Sequence, residues 1–247
     1  MPISIDLNAD LGEHPNSNLD EQIMPYISSC NIACGGHAGN ASTVRETIEL
    51  AVKHNVAIGA HPSFPDRENF GRKMVKMEIN ELRNSLRDQM NLVISVLKEK
   101  GMKLHHVKPH GALYNYAAKD EVISKMICEL VLEIDSELKL YGLAHSVTEE
   151  VANEMNVHFV GEAFADRRYE MDKTLRSRNE NDAVLSSEQE VLEQVEQLVC
   201  HQRVKSDKWL PISAQTICLH SDTKGAVHLA QVIRNHLEQK GVHIRRV

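Results

Sequence analysis

Short apolar runs of strand length alternate along this chain with longer stretches whose apolar residues recur at helical spacing, and this rhythm constrains the fold more than any other feature. The runs are ISIDLN, SCNIAC, VAIGAH, LHHVKP, LKLYGLA, VHFVGEA and QTICLH. Between the second and third, ASTVRETIELAVKHN repeats Val44, Ile48, Ala51 and Val52 on one face, with Asn40 or Ser42 available to cap its start. NELRNSLRDQMNLVISVLKEKG carries Leu82, Leu86, Met90, Val93 and Leu97 as one stripe, and Gly101 follows its last turn. DEVISKMICELVLEI, SVTEEVANEM, SEQEVLEQVEQLVCH and AVHLAQVIRNHLEQKG continue the pattern, and VHIRRV reads as a closing edge strand. About seven strand-helix pairs in this order require parallel strands joined by right-handed crossovers.

The 247 residues suit one α/β barrel. No Gly/Ser/Pro linker, shift of composition or low-complexity tract divides them, so a single domain over 1–247 is expected. The least regular part is residues 163 to 187, a long polar stretch rich in both charge signs and expected to be a functional or disordered loop. Within it, FADRR reads on its own as an exposed, salt-bridging segment.

Parallel α/β architectures bind ligands outside the carboxyl ends of their strands. In this chain those ends are polar. The first run ends at Asn8 and Asp10, the second leads to His37 in ACGGHAGN, the third ends at His61, and the fourth at Lys108 and His110. The sixth ends at Glu162 with Asp166 and Arg167 beyond it, and the seventh at His220 and Asp222. A histidine beside a turn is most often a structural group when taken singly, and ACGGHAG can serve as a simple turn before a helix. A closed barrel, however, points all of these residues into one mouth, the geometry that acid-base or metal chemistry requires.

Two chemistries fit that set. Asp10, His61 and His110 can coordinate a divalent metal that acidifies water. Alternatively, Asp10 or a histidine activates water directly while Lys108 stabilises an oxyanion. Either route hydrolyses an amide-like carbon. The chain has no P-loop, no G-x-G-x-x-G after the first strand and no G-x-S-x-G elbow, so it carries no recognisable apparatus of its own for ATP or nicotinamide. A net charge of -7 argues against a nucleic-acid footprint. No apolar run is long enough to span a membrane, the start lacks signal-peptide character, and the five cysteines lack C-x-x-C spacing, so a cytoplasmic protein with reduced thiols is expected.

The segments DLNADLGE, SSCNIACGGHAGN, AIGAHPSFPD, NFGRK, HVKPHGALYN, EAFADRRY and TICLHSD, in this order and over nearly the whole chain, resemble the LamB/YcsF family of 5-oxoprolinase A subunits. The resemblance implies a distorted seven-stranded (β/α) barrel like that of sugar deacetylases, a glycoside hydrolase/deacetylase-like fold. It also implies ATP-dependent opening of 5-oxoproline to L-glutamate in a complex with subunits B and C, ATP being used on those partners. On that reading Asp10, His61, Lys108 and His110 are catalytic. Asn8, Asn31, His37, Arg72, Tyr114, Glu162, Asp166 and Arg167 bind the lactam, and a divalent metal would have Asp10, His61 and His110 as its candidate ligands. Ala9, Asn40, Lys73 and Ser221 depart from the family pattern, as does RDQMNLVIS in the long helix, leaving room for an altered substrate. A free-standing metal-dependent amide hydrolase or deacetylase and a carboxylate-binding regulatory protein are the alternative readings.

Overall fold

The computed structural model describes residues 3–14, 18–178, 180–185, 187–221, 223 and 225–247, and Asp222 lies outside them. The first half runs β1 (Ser4–Leu11), α1 (Leu19–Ile23), β2 (Ser29–Ala33), α2 (Ala41–Lys53), β3 (Ala57–His61), α3 (Ile79–Glu99) and β4 (His106–Val107). There follow α4 (Gly111–Ala117), α5 (Glu121–Ile134), β5 (Lys139–Leu143), α6 (Val147–Glu154) and β6 (His158–Phe164). The chain ends with α7 (Glu188–His201), β7 (Arg203–Lys205), β8 (Trp209–Pro211), β9 (Thr216–Leu219), α8 (Ala226–Gln239) and β10 (His243–Ile244).

Seven of these strands close into a parallel barrel in the order β1-β2-β3-β4-β5-β6-β9, β9 returning to pair with β1. β10 adds to the other edge of β1, beside Ser4 and Ile5, as the terminal VHIRRV predicts. The seven expected apolar runs are the seven barrel strands. An antiparallel hairpin, β7 with β8, is an addition that the sequence pattern does not predict; its strands are three residues each, too short to show a period.

β1 shows how sequence becomes site. Its residues are buried almost throughout, so alternation decides which way each side chain faces. Leu7, Ala9 and Leu11 join the hydrophobic core, whereas Asp6, Asn8 and Asp10 point inward to partners on other barrel strands. Ala9 therefore stands behind the sheet, and a thiol at that position would not enter the barrel. The interior is correspondingly polar. Asp6 accepts from Ser28, Ser29, Thr216 and Tyr141 at the lower end, and Asn8, Asn31, His106 and Glu162 lie above it. Each such group is worth burying only because its partner sits across the barrel.

The helices form as their stripes predict, except that Val52 of α2 is exposed and Thr43 and Thr47 take places on the buried face beside Val44, Ile48 and Ala51. Leu82, Leu86, Met90, Val93 and Leu97 of α3 are all buried, and Gly101 follows with φ of 68°. Within the divergent stretch of α3, Gln89 clamps the backbone of Ser63, exchanging hydrogen bonds of 2.9 Å with its N–H and carbonyl. Asn40 caps α2: its Oδ1 accepts from the N–H groups of Ser42 and Thr43, and Thr43 closes the capping box. An aspartate would accept the same bonds, which makes this departure from the family pattern structurally silent. Asn40→Ala is expected to cost about 1 kcal/mol, and Asn40→Asp to leave stability unchanged or raise it slightly. Denaturant midpoints of the two variants check this.

The 163–187 stretch is not a solvated loop. Its described residues carry bridges between Arg167 and Val184 and between Tyr169 and Leu175, while Asp166, Arg167, Tyr169, Ala183 and Leu185 are buried. Gln194 of α7 anchors it by donating to the carbonyls of Phe164 and Arg167 and accepting from the N–H of Lys205. Burial corrects the reading of FADRR as an exposed segment: its aspartate and first arginine point inward, and charge alone could not reveal their partners.

Candidate functional site

The carboxyl ends of the strands open into a cavity of about 550 Å³. Of the predicted site residues, Asp10, His61, Arg72, Lys108, His110, Tyr114 and Arg167 line it. Asn8, Asn31, His37, Glu162 and Asp166 are fully buried behind that lining, and reach the cavity only through the groups they hold. His220, named as a strand end but given no role, also lines the cavity, stacked on Phe164 with its Nδ1 3.0 Å from Asp166.

Lys108 is placed by the turn that follows β4. Its backbone N–H donates to Ala60, and that of His110 to Pro62, so the chain continues beside β3 before α4 begins. Gly111 starts α4 with φ of 56°, and a Cβ there would stand 2.6 Å from the carbonyl oxygen of Gly71. Gly71 is equally constrained, since a Cβ on it would meet His37 and His110 at 2.9 and 3.0 Å. The two glycines therefore permit the approach that seats His110 over the cavity.

The Lys108 ammonium is only 2% exposed and makes contacts at 3.0 Å to Asp10, 2.9 Å to Glu162, 3.3 Å to Asn8 and 3.1 Å to the Cys218 sulfur. Burial opposes its charge, but the carboxylates of Asp10 and Glu162 hold it well above the usual lysine range. Burial likewise pushes the Asp10 carboxyl up, and His61 and Lys108 more than reverse this, holding it well below the usual carboxylate range. Asp10 is thus an ionised, buried carboxylate whose Oδ1 accepts from Lys108 and Asn31 and whose Oδ2 faces His61 Nε2 at 3.3 Å. The Lys108 ammonium thus has its donors occupied by Asp10, Glu162, Asn8 and Cys218.

Beside Asp10 stand three imidazoles. His37 and His110 stack with centroids 3.7 Å apart, and His61 meets both edge-on. His37 Nε2 lies 3.0 Å from Glu13, a residue that strand-end position does not single out although it closes the quoted DLNADLGE. Ser221, another departure from the family pattern, places its hydroxyl 3.4 Å from the same carboxylate. Glu13, His37, His61 and His110 each offer a ligand atom, all within 4.8 Å of one another, and Asp10, Cys218 and His220 form a second such group. The donor set of the first group fits a divalent metal.

On the far side of the cavity Tyr114 is buried, and neither its hydroxyl nor Glu162 Oε2 has a hydrogen-bond partner among the described residues. Burial first, then the nearby Glu162 carboxylate, push the Tyr114 phenol well above its usual range, so it remains a neutral donor. Arg72, Arg167, Arg176 and Arg178 reach the mouth, a concentration of positive charge in a chain of net charge -7. Arg176 is neutralised by Glu170, Asp182 and Asp207. Arg167 donates to the carbonyls of Ala183 and Arg176, and together the four guanidinium groups suit the mouth to an anionic ligand.

Three buried histidines also govern stability in acid. Burial pushes His37 down to about 2 and His106 and His110 well below 6.5, neighbouring histidines adding to the effect. Unfolded, each would titrate near 6.5, so below that pH the unfolded chain binds more protons and the fold loses stability. Each contributes about 1.4 kcal/mol per pH unit within that window. Asp10 adds a loss at lower pH, as its depressed folded pKa is approached. The metal-free protein should therefore show a steep fall in thermal midpoint between pH 6.5 and 5; a midpoint constant over that range contradicts the burial of these rings as neutral groups.

The whole chain has known relatives. Residues 5–247 match the LamB/YcsF family. A protein of Bacillus cereus (strain AH187), named as the A subunit of 5-oxoprolinase, is 43% identical over 247 residues, 98% of each chain. A protein of the same name from Tolumonas auensis is 42% identical over 246 residues, again covering 98% of each. Among solved structures, a lactam utilization protein from Thermus thermophilus superposes with a TM-score of 0.92 at 34% identity, covering 99% of this chain and 100% of that one. The peptidoglycan deacetylase PdaC of Bacillus subtilis superposes with a TM-score of 0.53 at 12% identity, covering 100% and 88%, a likeness of fold alone. No helix among the described residues is long and apolar enough to cross a membrane.

Proposed function

Because this chain belongs to the LamB/YcsF family, we propose that it is the lactam-opening subunit of a 5-oxoprolinase: with partner subunits B and C it converts 5-oxoproline to L-glutamate, coupled to ATP hydrolysis. The observation that carries the reading is a buried, ionised Asp10 on the floor of a cavity, in a chain 43% identical over its length to proteins of that name. The whole of 1–247 acts as one catalytic domain in the cytoplasm. ATP is used on the partners, in keeping with a sequence that has no phosphate loop.

The substrate reaching this chain is an activated, phosphorylated lactam. A small lactam fills only part of about 550 Å³, leaving room for a phosphoryl group and a water molecule. Arg72 and Arg167 at the mouth hold the anionic oxygens, and Tyr114 bounds the ring and offers its hydroxyl. Asp10 Oδ2 takes a proton as water attacks the phosphorylated ring carbon, and returns it to the ring nitrogen as the C–N bond breaks, which frees the amine and leaves an acyl phosphate. A second water then cleaves that acyl phosphate to the carboxylate of glutamate and inorganic phosphate. Lys108 and Asn31 hold Asp10 ionised and aimed; Asn8, Glu162 and Asp166 hold Lys108 and His220 in turn. A divalent metal at the Asp10, His61 and His110 face would supply Lewis acidity and make water a stronger nucleophile.

The rival reading is a free-standing deacetylase or amide hydrolase. The purified chain alone, assayed without ATP, should release neither acetate from N-acetylated sugars nor glutamate from 5-oxoproline at an enzymatic rate. Rapid ATP-independent release of either product would replace the subunit reading with the free-standing one. Tight binding of 5-oxoproline with no contribution to turnover in the complex would instead support a regulatory protein.

A further inference from the structure

The hydrogen bonds around the histidine cluster determine where each ring carries its proton. His61 Nδ1 lies 2.7 Å from the carbonyl oxygen of Lys108, and His110 Nε2 lies 3.0 Å from that of Phe70. A carbonyl oxygen can only accept, so both nitrogens carry hydrogen. In neutral rings His61 Nε2 and His110 Nδ1 are then bare, and these two nitrogens face each other at 2.9 Å. Two lone pairs at hydrogen-bond distance repel. The clash is compounded by the carboxylates, Asp10 Oδ2 being 3.3 Å from His61 Nε2 and Glu13 Oε1 3.5 Å from His110 Nδ1. Such an arrangement of converging acceptors is relieved by a cation placed among them.

We propose that Glu13, His37, His61 and His110 form a single divalent-metal site, with Asp10 flanking the ion rather than serving as a required ligand. The four side chains are buried, and their ligand atoms lie within 4.8 Å of one another. The bonds from His61 to Lys108 and from His110 to Phe70 provide the outer support that metal-bound imidazoles usually have, fixing each tautomer with its lone pair inward. His37 Nε2 has Glu13 as its partner at 3.0 Å, and its Nδ1 is buried without one among the described residues, so no backbone carbonyl fixes this ring against ligation. Asp10 differs because Lys108 and Asn31 already hold its Oδ1, and it lies outside the four-residue group. Three imidazoles and one carboxylate select a borderline ion of the zinc or cobalt type over magnesium or calcium.

The inference deepens the lactam-opening reading, since two of the four ligands, His61 and His110, line the same cavity, but it is tested without lactam, ATP or partner subunits. Chelator-stripped full-length protein is titrated with zinc(II) by calorimetry and with cobalt(II) by visible absorption. About one equivalent should bind, with cobalt bands characteristic of four- or five-coordinate nitrogen ligation. Glu13→Gln and His37→Ala should each weaken zinc binding at least tenfold, whereas Asp10→Asn should change it less than threefold. Absence of binding, or of the cobalt bands, in the wild-type protein would overturn the proposal whether or not any variant folds. Unchanged binding in folded Glu13→Gln and His37→Ala, or lost binding in folded Asp10→Asn, would overturn the ligand assignment. A protein that binds metal yet contributes nothing to glutamate formation would contradict the proposed function and leave this site standing.

Discussion

Asp10→Asn should reduce glutamate formation by the assembled complex about 10²- to 10⁴-fold, the range expected when a positioned proton acceptor is lost. The substitution is nearly isosteric, so the effect is chemical: an amide cannot take the proton that the carboxylate takes. Asn31 and Lys108 remain in place around it, and Glu162 at 2.9 Å keeps the Lys108 ammonium paired, so the variant should fold. The loss should fall on kcat with little change in KM, because Asp10 lies on the cavity floor and the anionic groups of the substrate are assigned to arginines at the mouth. Initial rates with purified partners check this. A variant retaining more than a tenth of wild-type kcat would remove Asp10 from the chemistry.

Lys108→Met should produce the largest loss of stability. Removing the ammonium leaves Asp10 and Glu162 buried in the barrel without the cation that faces both. Breaking a buried pair from one side typically costs about 3 to 5 kcal/mol, and in a chain of this size that lowers the thermal midpoint by about 6 to 20 °C. Lys108→Met with Glu162→Gln should recover part of the loss, because one of the stranded charges is gone. Calorimetry or thermal circular dichroism on the single and double variants gives the comparison. Equal midpoints for Lys108→Met and wild type would mean that the network is held by something other than this ion pair.

The fold was legible because a parallel barrel repeats one pattern, and repetition averages out local ambiguity. β4 is only two residues long, yet LHHVKP could be placed because its neighbours set the interval. The β7 and β8 hairpin had no such support. Within the site, strand ends identified Asp10, His61, Lys108 and His110 correctly as neighbours, since topology alone brings strand ends together. What they do to one another could not be read from order. That Lys108 is saturated by Asp10 and Glu162 depends on distances across the barrel. Glu13 was visible in DLNADLGE but lies beyond the strand, where no periodicity indicates that it turns back toward His37. His106 was invisible for another reason. It sits inside the barrel, stacked on Tyr141 and bonded to Asn31, where Gly59 leaves it room: a Cβ on that glycine would fall 2.2 Å from the ring. A requirement of that kind links residues whose relation only the closed barrel reveals.

If this chain opens the lactam, the partner subunits cannot form glutamate without it. Purified partner subunits are incubated with ATP and 5-oxoproline, with and without this chain, and glutamate and ADP are followed together. The expected result is that glutamate accumulates in step with ADP only when the chain is present, and that glutamate formation all but stops without it. Glutamate formed at the same rate by the partners alone would contradict it.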